Sequence, residues 1–126
     1  MQLTQEPAEG YFFVRSCRPG AITIVDRELT RSFLVAPDRV VEDWPVTNAA
    51  EFDVAAADAI AALAPEVVLL GTGERQVFPP REALVSLLRR QIGVEVMDNA
   101  AASRTYNLLA QEGRRAVAAF MLPHNP

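Results

Sequence analysis

Over the first third of the chain, apolar positions come in short β-branched and aromatic runs; after that they shift to helical spacing. Tyr11 to Cys17 and Ala21 to Val25 are two such runs separated by Arg18-Pro19-Gly20. That spacing predicts a hairpin closed by a tight Pro-Gly turn. Arg31 to Ala36 reads as a third strand and Pro37-Asp38 as a turn. Val40-Val41 then runs into Asp43-Trp44-Pro45, where acids and proline stop any strand. From about Asn48 the period changes. Asn48 with Glu51 resembles a capping box, Asp53 is a competing N-cap, and the Ala-rich run through Ile60 and Leu63 predicts a helix ended by Pro65.

The continuous apolar run Val67-Val68-Leu69-Leu70 is a buried strand of the parallel type, broken by Gly71-Thr72-Gly73. Pro79-Pro80 opens a second helix in which Leu84, Leu87, Leu88 and Ile92 share a face, with Gly93 as its stop. Val94 to Met97 is a short strand. Asp98, Asn99 or a near neighbour caps a third helix with Ala102, Tyr106 and Leu109 on one face, closed by Glu112-Gly113, and Arg115 to Leu122 is the last strand. After the first helix the order is β-α-β-α-β, which makes a sheet covered by helices. The expected fold class is α/β: a sheet covered by helices, with an N-terminal β-hairpin.

Composition narrows the function. With 126 residues, 50% hydrophobic and 22% charged, the chain fits one domain over 1–126 with a real core, its ends (1–10 and 123–126) expected to be flexible. Acids outnumber bases 16 to 12, the wrong sign for a protein that wraps nucleic acid. Every base is Arg and none is Lys, so Schiff-base, lysine general-base and P-loop lysine chemistries are excluded. Cys17 is the single cysteine, so no internal disulfide forms, and a cytoplasmic location is expected. The first ten residues carry two acids and no base, unlike a secretory or transit peptide. The apolar runs are strand-sized, short of the ~20 residues that cross a bilayer.

Two clusters bear chemistry. Gly71, Thr72 and Gly73 end a buried strand, where open α/β sheets bind ligands and where glycine lets backbone N–H groups approach one; the same glycines also suit a tight turn. Neither a dinucleotide nor a Walker pattern is complete here. Asp98, Arg104, Thr105, Tyr106 and Asn107 form the second cluster. In a parallel arrangement Asp98 shares a rim with Gly71, and Arg104 can grip a carboxylate or phosphate bidentately. Alternatively Asp98 or Asn99 only caps the helix, Tyr106 packs in the core with its hydroxyl tied to backbone, and Arg104 is solvated. No catalytic constellation emerges: Cys17 reads as a small buried thiol, His124 is the lone histidine, and one of each builds no zinc site. No cofactor is expected. Trp44, between Asp43 and Pro45, is the candidate surface aromatic for anchoring a protein partner.

Val68 to Gly73, Val94 to Asp98, and Arg104-Thr105-Tyr106-Asn107-Leu108-Leu109 running on to Glu112-Gly113-Arg114 together resemble the domain of unknown function 498 family. That family includes mitochondrial complex I assembly factor 3 and the adipogenesis-associated domain protein. The resemblance covers nearly the whole chain and falls on Gly71, Gly73, Asp98, Thr105, Tyr106, Asn107, Glu112, Gly113 and Arg114. The sequence departs from the family at Asn99, where threonine is expected. The resemblance implies a three-layer α/β fold, with a central mixed β-sheet flanked by helices and an additional N-terminal β-hairpin, and a non-catalytic binding or assembly-accessory role through a protein partner. That partner can bring the chain to membrane complexes peripherally. The alternative is a small-anion or metabolite-binding protein, or an enzyme, using the Gly71–Gly73 and Asp98–Asn107 rim.

Overall fold

A computed structural model of the chain describes residues 2–3 and 10–123. Its strands are β1 (Gln2–Leu3), β2 (Val14–Arg18), β3 (Ala21–Ile24), β4 (Arg27–Leu29), β5 (Phe33–Ala36), β6 (Arg39–Val41), β7 (Val67–Gly71), β8 (Gly93–Met97) and β9 (Ala116–Phe120). The helices are α1 (Val54–Ala61), α2 (Arg81–Leu88) and α3 (Asn99–Gln111), with a 3-10 turn over Ala49–Glu51. Six strands form one mixed sheet in the order β1-β6-β5-β9-β7-β8, in which β7 runs parallel to both neighbours and β5 antiparallel to β9 and β6. The chain order β7-α2-β8-α3-β9 supplies the two helical crossovers that parallel pairing needs.

Successive side chains of a strand point to opposite faces, and the central strands use both. Leu34, Ala36, Val68, Leu70, Val117 and Ala119 face one core, closed by α1, α2, Trp44 and Phe52. Phe33, Val35, Leu69, Ala118 and Phe120 face the other, closed by Ala102, Tyr106 and Ala110 of α3 and by Phe12, Ile22 and Ile24. Every residue of β9 is fully buried, so its Ala-Val-Ala-Ala-Phe sequence lets helices approach both faces closely. The three layers and mixed sheet agree with expectation.

The N-terminal hairpin is larger than expected: β2, β3 and β4 form a separate three-stranded antiparallel sheet. β4 escapes sequence analysis because it is three residues long and mostly charged. The turn before it, at Val25-Asp26, holds Val25 at φ +57°, a region β-branched residues rarely adopt.

Helix ends follow two of the expected signals and correct a third. Asn48 caps the 3-10 turn and Asp53 caps α1, so the two competing caps serve consecutive elements. Asn48 Oδ1 accepts the Glu51 N–H at 3.2 Å, and the Glu51 carboxylate accepts chiefly from the backbone N–H and hydroxyl of Thr47, each at 2.8 Å, with a weaker contribution from the Asn48 backbone N–H. Gly93 does not stop α2. Gln91 does, at φ +62°, with its N–H on the Leu88 carbonyl and the Ile92 N–H on the Leu87 carbonyl, the paired bonds of a Schellman ending. Gly93 therefore opens β8, and Leu88 turns outward while Leu87 and Ile92 stay buried.

Candidate functional site

β7 and β8 end on the same rim, with α3 starting from it, so Gly71-Thr72-Gly73 and Asp98 come together as expected. The rim is tied by short bonds. Asp98 Oδ1 accepts from the Ala101 N–H at 2.7 Å, capping α3. Asn99 Oδ1 accepts from the Gly73 N–H at 3.1 Å, its amide nitrogen donates to the Met121 carbonyl at 3.0 Å, and its own N–H donates to the Gly73 carbonyl at 2.8 Å. Thr72 Oγ1 donates to the Arg75 carbonyl at 2.6 Å and accepts from the Val77 N–H at 3.0 Å. Gly73 sits at φ +100°, which a side chain would resist.

The second cluster divides along α3. At 1.5 Å rise per residue, Tyr106 lies about 12 Å down the helix axis from Asp98, and it faces the core. It is fully buried, and its hydroxyl donates to the Phe12 carbonyl at 2.7 Å. Burial pushes the Tyr106 phenol above its ordinary pKa. Asn107 faces β2, where its side-chain amide accepts from the Val14 N–H and donates to the Val14 carbonyl, both at 2.8 Å. It stands where the peptide group of a further strand would. Thr105 is half-buried and Arg104 exposed.

Two hollows open beside the rim on the α3 side. One, of about 270 Å³, lies between the hairpin tip Arg18-Pro19-Gly20 and Gly73, Asp98 and Asn99. The other, of about 280 Å³, lies between β2 and α3, with Arg15 and Arg104 on its walls. Cys17 and Ala100 line both, so the two adjoin. Each is below the range of about 300–1,000 Å³ usual for small-molecule pockets. Cys17 is half-buried, not fully buried: it packs against the α3-side core and borders the groove.

Trp44 is not a surface aromatic. It is 3% exposed, its ring meets Phe52 edge-on at 6.1 Å between centroids, and its indole N–H donates to the Ala56 carbonyl at 3.3 Å. Its apolar area covers the end of the helix-backed core, which outweighs the loop setting its polar neighbours suggest. Among the described residues the aromatic that is exposed is Phe78, 69% exposed beside Val77, in a loop without an amphipathic pattern to flag it. Among the described residues, no helix is long and apolar enough to cross a membrane, and no three His, Cys, Asp or Glu side chains gather to hold a metal. His124 lies outside the described residues, as does most of each end expected to be flexible.

A three-layer α/β chain with a small antiparallel sheet on one face, and a rim knotted by its own side chains, is the class that fold and site define. Residues 14–121 match the family described as protein of unknown function (DUF498/DUF598), and the chain belongs to that family. A solution structure from Xanthomonas campestris is similar at 43% identity, with 98% of this chain and 96% of that one covered and a TM-score of 0.82. The Danio rerio NADH dehydrogenase [ubiquinone] 1 alpha subcomplex assembly factor 3 is 30% identical over 125 residues, 98% of this chain and 71% of that protein. A Francisella tularensis protein named 13 kDa major membrane protein is 28% identical over 115 residues, 90% of this chain and 94% of that one.

Proposed function

We propose that the chain is a non-catalytic binding or assembly-accessory protein that works by docking onto another protein, in the manner the name of its Danio rerio relative describes. The observation that carries this reading is the engagement of the rim. The side chains of Thr72, Asp98, Asn99, Asn107 and Tyr106 all bond backbone groups of the chain itself. A catalytic site needs polar groups that converge on one reacting atom, and these diverge onto separate stretches of backbone. The reading invokes no cofactor and no nucleic acid. It sets a bacterial-type protein in the cytoplasm, reaching membrane complexes through its partner, a route that also suits the Francisella relative's name.

The rival reading, a metabolite or small-anion site or an enzyme built on the Gly71–Gly73 and Asp98–Asn107 rim, draws support from the hollow beside Gly73. A thermal-shift screen with phosphates, carboxylates and nucleotides separates the two. A ligand present at 100 times its Kd adds about 2.7 kcal/mol of stability. The docking reading expects no stabilising metabolite, together with recovery of respiratory assembly intermediates on the tagged chain in cells. A metabolite that stabilises the chain, with no protein recovered, overturns it.

A further inference from the structure

We propose that the groove between β2 and α3 receives an extended, acidic segment of the protein partner, which adds to the outer edge of β2 and sets its carboxylates against Arg15 and Arg104. The inference rests on the docking reading and names the surface and the chemistry it selects.

Three observations converge on it. First, β2 is an edge strand: its sheet has the order β2-β3-β4, and its free side faces α3. The two-residue turn makes Arg18 and Ala21 the closing pair of the hairpin. By the alternation of an antiparallel ladder, the peptide groups of Cys17 then point outward into the groove. Second, Asn107 already pairs both backbone groups of Val14, as one peptide unit of an added strand would. The next outward-facing unit, across the β-bulge between Val14 and Ser16, falls at Cys17, where α3 lines the hollow with Ala100 and Ser103 beside Arg104 and Asn107, the setting of a strand added to a sheet edge.

Third, the charge is specific. In a chain with acids in excess, ion pairs among the described residues occupy Arg18, Arg27, Arg90, Arg114 and Arg115. Arg15 and Arg104 face one hollow from opposite walls with no carboxylate lining it, and neither has an ion-pair partner among the described residues. Two guanidinium groups sharing a hollow favour an anion between them.

The test is an NMR titration of the full chain with an acetylated, amidated hexapeptide of alternating valine and aspartate. Its valine–lysine counterpart and inorganic phosphate serve as separate arms. The expected result is shifts confined to Arg15–Arg18, Ala100, Ser103 and Arg104, slower exchange of the Cys17 amide, and weakening with added salt. The double variant Arg15→Glu/Arg104→Glu, at exposed positions and so folded with an unchanged melting temperature, should bind at least tenfold more weakly.

Equal binding of the lysine peptide overturns the inference, as does no perturbation at millimolar aspartate peptide. The same shifts with phosphate alone make the hollow a small-anion site instead. If the double variant still recovers assembly partners from cells as the parent chain does, the docking reading survives and this surface is the wrong one.

Discussion

The Asn99 side chain occupies the space that a Cβ on Gly71 would need: a methyl there would fall well inside contact distance of Asn99 Oδ1 and 3.2 Å from the Phe120 ring. The same oxygen accepts the Gly73 N–H, so the end of β7 and the start of α3 are joined through one buried amide. The Asn99 side chain reaches both Gly73 and Met121.

Gly71→Ala should therefore destabilise the fold by about 1–3 kcal/mol through overpacking, read from denaturant melts. Asn99→Ala alone strands the Gly73 N–H and the Met121 carbonyl and should cost a similar amount. In the double variant the penalties should overlap, giving less than their sum. Strict additivity would mean that the two residues do not compete for that space.

The Tyr106 phenol is raised by burial. Its folded pKa lies above the unfolded value of about 10, so the folded state holds the proton longer. Its contribution to stability is whole below that pH and is lost as the pH climbs beyond it. Because every basic side chain is Arg, no lysine titrates in the same window. Tyr106→Phe should flatten the alkaline fall in stability, and by leaving the Phe12 carbonyl unpaired should cost about 1–3 kcal/mol at neutral pH. An alkaline slope that survives the substitution would assign it to another group.

Glu51 has its pKa lowered by bonds from the Thr47 backbone N–H and then the Thr47 hydroxyl. The sign is opposite to that of Tyr106. Its contribution is present above the unfolded carboxylate value of about 4.3 and disappears as pH falls through the lowered folded value. Acid melts of Glu51→Gln should be shallower over that range than those of the parent, and Thr47→Ala should act in the same direction.

Trp44 fluorescence should be blue-shifted and resistant to acrylamide until the protein unfolds, since the ring is packed on Phe52 with its N–H satisfied. Trp44→Ala should cost about 3–5 kcal/mol. A red-shifted, freely quenched emission in the native state would place the ring outside the core.

Much of the fold was legible because local chemistry and global need agree. The apolar Val67–Leu70 run predicts a strand buried on both faces, and β7 is buried between two neighbours with helices on either side. Asp53 and Asp98 are legible as cap candidates, in competition with Asn48 and Asn99, because the first turn of a helix must find acceptors. Less was legible at the site. Sequence order lines up Asp98 through Asn107, but the helical period sends Asp98 to the rim, Tyr106 to the core and Asn107 to β2.

By itself, the sequence determined the alternation of strand and helix and the candidates for the helix caps, since each depends on neighbours within a turn or two of chain, and its lack of lysine excludes lysine chemistry. Tertiary structure alone decided that Gln91 rather than Gly93 ends α2, that β4 exists, that Trp44 goes inside, and that Asn99 bridges the ends of β7 and β9. Those outcomes turn on contacts between segments distant in sequence, where burial and hydrogen-bond partners are supplied by other elements and leave no local periodicity to read.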